Sequence, residues 1–167
     1  FSRSTAHTQT TSRGGTREST STDPHGVALN KDNSKLYITV EFGEVPGVVV
    51  YDVKTGKTSK IDTVVAGNWL GVHSRTDKLY MPSRTASDSV VVIDTKTDRV
   101  TRVIPLKPGS RPAGVAFGGP NDEVWVSGDG DGSVTVIDST TDKVSKVIQP
   151  RIKGSGRIAV SPDGRFA

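Results

Sequence analysis

Cysteine is absent from the sequence of 167 residues. Its absence excludes disulfides, thiolate metal sites, a c-type haem attachment motif and a cysteine nucleophile within these residues. The sequence also lacks an apolar run of the roughly 18 to 20 residues that a membrane-spanning helix needs. No signal-peptide core is visible either. The absence of cysteine does not fix the compartment, because an exported β protein can fold without disulfides.

A strong charge bias and catalytic motifs are also missing. The net charge at pH 7 is +4, and about half of it lies in residues 1–22. The remaining surface is close to balanced and carries no basic stripe, so no nucleic-acid partner is predicted. The sequence contains no phosphate-binding glycine loop and no kinase or hydrolase motif. No catalytic residue is therefore predicted.

The sequence does contain a unit of four short strands, which is clearest between Arg111 and Ile148. Apolar residues alternate within Val124–Val126 and Val134–Val136, which is the period of a strand. The segments between the strands are rich in Gly, Asn, Asp and Thr, which accept turn angles or bond their own backbone. The predicted strands are Gly114–Phe117, Glu123–Ser127, Ser133–Asp138 and Lys143–Ile148.

This unit recurs along the chain. The equivalent glycines Gly26, Gly71 and Gly114 are spaced about 43 to 45 positions apart, and another unit begins at Arg157. A period of about 40 to 45 residues with four strands per unit is typical of propeller blades. The predicted fold class is all-β: a β-propeller of four-stranded antiparallel blades, with about three complete blades and the start of a fourth in an incomplete ring.

The predicted organisation is an arm followed by blades. Residues 1–22 are mostly Ser, Thr, Gly and Arg, which cannot offset the entropy of ordering, so they are predicted to form a flexible arm. The alternative is an arm that orders against a neighbouring subunit. Residues 23–167 form the partial propeller. Its blades are expected at about 23–66, 67–110 and 111–154, with the next one starting at 155–167.

Three blades and part of a fourth do not close a ring, because propellers usually contain roughly four to eight blades. The sequence is therefore interpreted as part of a longer protein. The alternative is a ring closed by the association of several copies.

The repeated residues resemble the YVTN-type β-propeller repeats of bacterial and archaeal extracytoplasmic proteins. The resemblance covers roughly Asp23 to Ala167, and the segment closest to the naming tetrad is Tyr37–Val40. It is carried by Gly114-Val115-Ala116, Val124–Ser127, Val134–Asp138 and their equivalents in the other blades. The resemblance implies a periplasmic or extracellular protein whose export signal has been removed before Phe1. It indicates the fold and not the activity, because propellers host unrelated functions.

The central channel and its rim are where propellers usually bind small molecules and metals. His25 precedes Gly26 at the expected start of an inner strand and is the candidate metal ligand. The alternative is that His25 caps a strand, and that His73 packs between blades. Otherwise no cofactor is predicted, although Gly128–Gly132 resembles a calcium loop superficially. Calcium held by Asp129 and Asp131 is the alternative there to a mobile hairpin connection.

A candidate interaction surface is expected on the rim that carries the links between blades. Aromatic and arginine side chains at such a rim favour contact with another protein. The alternative is ordinary loop packing. The candidate residues are Phe42, Trp69, Arg84 and Arg111.

Three further expectations concern the framework. A threonine follows three residues after each of three equivalent aspartates, which are predicted to cap turns; they are Asp52, Asp94 and Asp138. Trp125 occupies the second-strand position of Tyr37 and Tyr80 and is predicted to be core between blades. Val48–Val53 is rich in β-branched residues and is predicted to be buried on both faces.

Two functions are consistent with these features. The favoured one is a non-catalytic β-propeller scaffold that mediates protein–protein interaction, as an accessory subunit of an extracytoplasmic complex with other protein subunits as partners. The alternative is a periplasmic redox or hydrolytic propeller enzyme with a metal, haem or quinone near the channel axis. Its support is His25 beside the expected channel.

Overall fold

The computed structural model describes residues 24–40, 47–63, 65–83, 87–154, 156–161 and 163–167. These residues form three antiparallel sheets of four strands, and within each sheet every strand pairs with the next along the chain. The first blade contains β1 (Pro24–Leu29), β2 (Lys35–Val40), β3 (Gly47–Asp52) and β4 (Thr58–Asp62). The second contains β5 (Gly71–His73), β6 (Lys78–Ser83), β7 (Ser89–Asp94) and β8 (Arg99–Pro105). The third contains β9 (Pro112–Gly118), β10 (Glu123–Gly128), β11 (Val134–Asp138) and β12 (Lys143–Ile148).

The all-β propeller architecture predicted from the repeats is confirmed. A Cβ atom on Gly114 would lie 2.9 Å from the Cα of Arg157, and one on Gly118 would lie 2.7 Å from Cγ1 of Val160. Residues 157–160 therefore lie beside β9, where the inner strand of a fourth blade is expected. The predicted arm falls outside the described residues. Among the residues that are described, no helix is long and apolar enough to cross a membrane.

Capped turns join the third and fourth strands of each blade. The Oδ1 atoms of Asp52, Asp94 and Asp138 accept hydrogen bonds from the backbone N–H three residues later, at 2.7, 2.8 and 2.8 Å. The capping role predicted for these aspartates is confirmed. These backbone bonds hold the pKa of each of the three carboxyls below its ordinary value, because the ionised form is the better acceptor.

We expect the protein to lose stability in acid. A carboxyl with a lower pKa in the folded state stabilises the fold above its unfolded pKa of about 3.9, and this contribution disappears as the pH falls through the folded pKa. Asp94→Asn keeps an acceptor oxygen but cannot ionise. Asp94→Asn should therefore reduce the loss of stability that occurs as the pH falls from about 5 to about 2.

Urea unfolding midpoints at pH 7 and pH 3 measure this effect. Asp62→Asn is the control, because Asp62 is a strand residue with an exposed side chain rather than a turn cap. An equal dependence on pH in both variants would show that the turn aspartates do not cause the acid sensitivity.

The hydrophobic core lies between the blades rather than within one of them. In β7, Val91 and Ile93 pack against the first blade, whereas Val90 and Val92 pack against the third. This strand is buried on both faces up to Asp94. Each four-stranded sheet is too thin to shield its own apolar faces, so burial requires a neighbouring blade.

Two predictions about burial differ from the structure. In β3, Val49 is only half-buried and Tyr51 is 36% exposed, so the strand is not covered on both faces. Trp125 is also half-buried; its indole Nε1 donates to the carbonyl of Gly118 at 3.3 Å. Val48 and Val50 in β3, and Val124 and Val126 in β10, pack against the second blade, so their neighbours Val49, Tyr51 and Trp125 lie on the opposite faces of these sheets. None of the three described sheets covers those faces.

A recurring polar contact joins each blade to the next. The hydroxyl of Tyr37 donates to Oδ1 of Asp98 at 2.7 Å, and Nζ of Lys35 lies 2.7 Å from the other oxygen. One blade later, Tyr80 and Lys78 make the same contacts with Asp142, at 2.7 and 2.8 Å. We call each set of three residues an inter-blade clasp; the sets are Lys35, Tyr37 and Asp98, and Lys78, Tyr80 and Asp142.

The two clasp aspartates adopt a backbone conformation that most side chains disfavour. Asp98 and Asp142 have φ angles of 55° and 54°, the left-handed region in which glycine is the default residue. Gly56, with φ of 70°, occupies the equivalent turn position in the first blade. Burial and the neighbouring carboxylate raise the pKa of Tyr37 and Tyr80 well above the ordinary value, so both phenols remain donors.

Candidate functional site

The links between blades and the loops between second and third strands lie on the same rim. The carboxylate of Asp88, in the β6–β7 loop, accepts hydrogen bonds from the backbone N–H groups of Gly109 and Arg111 at 2.6 and 2.8 Å. The carbonyl of Arg111 in turn accepts from the N–H of Asp129, in the β10–β11 loop, at 3.0 Å. The link between the second and third blades is therefore held by loops from both of them.

Trp69 and Arg157 contact each other, and both lie in segments that precede an inner strand. The guanidinium carbon of Arg157 lies 4.7 Å from the centroid of the Trp69 ring, within the range of a cation–π contact. Trp69 is half-buried in the link that precedes β5, whereas Arg157 is exposed after the third blade. The contact therefore joins the segment before β5 to the segment after β12. It lies where the inner strands begin.

His25 lies in the strand that approaches Trp69. It is exposed at the start of β1, and a Cβ atom on the following Gly26 would lie 3.1 Å from the Cα of Trp69. Thr39 fixes this approach, because its Oγ1 accepts from the N–H of Gly26 and donates to the carbonyl of Asn68, both at 2.8 Å. Among the described residues, no group of three or more His, Asp or Glu side chains could hold a metal ion. The metal hypothesis for His25 remains a prediction.

Arg111 belongs to the rim but to a separate polar cluster. Its side chain is exposed, and its Nη2 atom lies 3.9 Å from Oδ2 of Asp129. Its φ angle is 47°, in the left-handed region, and its backbone N–H and carbonyl both form the hydrogen bonds of the link. The structure therefore places two of the four predicted surface residues, Trp69 and Arg111, on the rim. Phe42 and Arg84 lie outside the described residues.

The β10–β11 loop has a defined conformation. Oδ1 of Asp131 accepts from the N–H of Ser133 at 3.0 Å, and Oδ2 lies 3.0 Å from Nζ of Lys107. Although partial burial opposes ionisation, hydrogen bonds from Ser133 and Lys107 lower the pKa of Asp131 to about 2. Calcium at Asp129 and Asp131 would have to displace this lysine, and the calcium hypothesis also remains a prediction.

His73 packs between the second and third blades. Its side chain is 2% exposed, and its Nε2 atom lies 3.1 Å from the carbonyl oxygen and 3.3 Å from Oδ2 of Asp122. Its ring meets that of Phe117 edge-on, with centroids 5.2 Å apart. The carboxylate of Asp122 also pairs with Arg75 at 2.5 Å. These contacts belong to the blade interface rather than to an open site.

Sequence reasoning did not identify Arg157, Asp88 or Asp122 as contributors to these clusters. The partner of Trp69 depends on how blades are arranged around the axis, and no spacing within one unit indicates that arrangement. The sequence does contain a pattern that indicates the clasps. A lysine and a tyrosine two positions apart recur in β2 and β6, and two aspartates four positions apart recur in the turns that follow β7 and β11.

Replacing Arg157 with glutamine should expose the ring of Trp69 to water and shift its fluorescence emission to longer wavelength. The loss in stability should be only about 0.5 to 1 kcal/mol, because the stacked guanidinium is exposed. Emission spectra recorded in a Trp125→Phe background isolate Trp69, since the chain has two tryptophans. Arg151→Gln, at another exposed arginine, should leave the emission unchanged. Equal shifts in both variants would contradict the stacking.

No protein-family model matches the chain, and no curated protein matches it. Solved structures do match it. Hydrazine synthase from Kuenenia stuttgartiensis gives a TM-score of 0.74 at 24% identity, with 85% of this chain and 40% of that chain covered. Virginiamycin B lyase from Staphylococcus aureus gives 0.71 at 21%, with 86% and 47% covered. The WD40 repeats of RRP9 give 0.70 at 10%, with 83% and 42% covered.

The chain spans less than half the length of each of these proteins. At these identities the likeness shows the fold alone, and that fold is the β-propeller. The neighbours include a lyase, a synthase and WD40 repeats, so the fold does not distinguish an enzyme from a binding scaffold. Membership of the YVTN-type family remains a prediction.

Proposed function

We propose that the chain is part of a non-catalytic β-propeller scaffold that binds another protein through the rim containing Trp69, Arg111 and Arg157. The observation that carries the proposal is the stack of an exposed arginine on a half-buried tryptophan. Tryptophan and arginine are enriched among the residues that dominate binding energy at protein interfaces. The links that present them are held by hydrogen bonds from two blades, so little ordering would be needed on binding.

An accessory role in a periplasmic or extracellular complex is part of the same proposal. Its support is the resemblance of the repeats to those of extracytoplasmic propellers. The competing proposal of a redox or hydrolytic enzyme rests on His25, which is exposed at the start of β1. The described residues provide no complete metal-ligand set around it. A metal bound there would therefore need ligands from outside the described residues.

A photo-crosslinking experiment tests the proposal. A benzophenone amino acid at position 69, expressed in the native host, should crosslink to a discrete protein under ultraviolet light. The same group at position 54, in the exposed turn between β3 and β4, should not do so. Metal analysis of the purified protein should detect no stoichiometric metal, and its visible absorption spectrum should show no chromophore. A stoichiometric metal or chromophore, without crosslinking at position 69, would instead favour the enzyme.

A further inference from the structure

The third blade lacks the two donors with which the other two blades form an inter-blade clasp. The strand registers make Trp125 the equivalent of the clasp tyrosines Tyr37 and Tyr80. Glu123 lies two residues earlier and is therefore the equivalent of the clasp lysines. The third blade thus has an acid where the first and second blades have a cation.

Glu123 is a nearly buried carboxylate without a counterion. The residue is only 9% exposed. Its Oε2 atom lies close to the main chain of Gly119, since a Cβ atom there would be 2.7 Å away. Within the ranges that the structure describes, its carboxylate forms no ion pair and no hydrogen bond. Removing a charged carboxylate from water is costly unless a cation or a donor compensates it, so a partner is expected here.

Trp125 does not offer a donor to the next blade. Its indole Nε1 already donates to the carbonyl of Gly118 in its own blade. The clasp tyrosines instead donate their hydroxyls to an aspartate of the following blade. Because an indole has a single donor, an aspartate placed at this interface would meet the carboxylate of Glu123 and no donor.

The carboxylate of Glu123 lies on the side where the fourth blade begins. Its neighbour Val124 packs against the second blade, so alternation places Glu123 on the opposite face of the sheet. Gly118 is paired with Glu123 and shares that face, and a Cβ atom on Gly118 would lie 2.7 Å from Cγ1 of Val160. A second copy of the chain cannot pack its first blade here, because residues 157–160 already occupy the place of the inner strand.

We propose that the fourth blade carries a lysine or an arginine at the turn position that Asp98 and Asp142 occupy in the second and third blades. This cation would pair with Glu123, so the third interface would use the clasp with its charges exchanged. The exchange would also set the order of the blades, because a turn with an aspartate would bring two carboxylates together. The proposal does not depend on the rim or on the role proposed for Trp69.

Neutral substitutions in the chain itself give the first test. Glu123→Gln should leave the urea unfolding midpoint unchanged or raise it, because the carboxylate has no partner to lose. Lys78→Gln, at the equivalent position, should lower the midpoint because Asp142 loses its ammonium partner. Equal losses in the two variants would show that Glu123 is paired within these residues and would overturn the proposal.

A fourth blade completed by fusion gives the second test. A repeat of residues 125–148 is appended after Ala167. The hydrogen bond from the N–H of Ser161 to the carbonyl of Phe166 sets this junction, because it matches the turn bond that precedes β2. The copy of Asp142 in the added segment is either kept or replaced with lysine. The lysine fusion should melt about 2 to 4 °C above the aspartate fusion.

Substitution at position 123 is the matched control for the two fusions. Glu123→Gln should reduce the difference between them. Glu123→Lys should reverse it, because the aspartate fusion then regains the lysine–aspartate pair of the other interfaces. Equal melting of the two fusions, or a difference that does not respond to position 123, would overturn the proposal. Circular dichroism shows whether the added segment forms strands; if it does not, the comparison of Glu123→Gln with Lys78→Gln decides.

Discussion

Replacing Asp142 with alanine is expected to lower the free energy of unfolding by about 2 to 4 kcal/mol. The change leaves the hydroxyl of Tyr80, which is fully buried, and the ammonium of Lys78 without their carboxylate. The side chains of Lys78 and Asp142 are 22% and 12% exposed. The expected loss is therefore below that for breaking a fully buried pair and above the value of at most about 1 kcal/mol for a surface pair.

A double-mutant cycle shows whether the loss comes from the clasp. Tyr80→Phe removes only the donor and should cost about 1 to 2 kcal/mol. Combined with Asp142→Ala, it should cost less than the sum of the two single losses, because one interaction is removed twice. Urea unfolding curves give the three free energies. Asp62→Ala, at a side chain that is 79% exposed, should change stability by less than about 0.5 kcal/mol. Strict additivity of the two clasp variants would contradict the assignment.

The clasps also show why the fold could be predicted from sequence more completely than the contacts between blades. The strands and turns of the third blade follow from local signals: alternation in Val134–Val136 and a turn capped by Asp138. Lys78 and Asp142 lie far apart in sequence and meet only after two blades pack together. The repeat of the two residues along the chain was visible, but it did not show which residue faces which.

The same distinction applies to the rim. Trp69 was predicted to lie on the rim because it is in a link between blades. Its contact with Arg157 depends on how successive blades are arranged around the axis, and the sequence of a single blade does not show that arrangement. The half-burial of Trp125 has a related cause: its strand position indicates a core residue only when a further sheet covers it. Local patterns thus predicted the blades, whereas the environment of each face depends on the neighbouring blade.

The second large effect is expected at Gly114, where the close approach of residues 157–160 to β9 depends on the absence of a side chain. A Cβ atom there would lie 2.9 Å from both the Cα of Arg157 and Oγ of Ser127, which already accepts the N–H of Gly114 at 3.0 Å. One of these neighbours is backbone and cannot rotate away. Gly114→Ala should therefore cost about 1 to 3 kcal/mol, as overpacking of a close contact does.

Gly156→Ala is the matched control, because nothing lies within 4 Å of the added Cβ atom and the position is only one residue from Arg157. It should change the unfolding midpoint in urea little. Gly114→Ala should also move Arg157 away from Trp69 and shift the emission of Trp69 to longer wavelength, as Arg157→Gln does. Equal stability of the two alanine variants would contradict the close approach. If Gly114→Ala were less stable with unchanged emission, the cost would lie at Ser127, and the position of Arg157 would not depend on β9. The main-chain contact that joins residues 157–160 to the third blade also places the guanidinium of Arg157 on the ring of Trp69. Gly114→Ala is therefore expected to lower the stability and to shift the emission together.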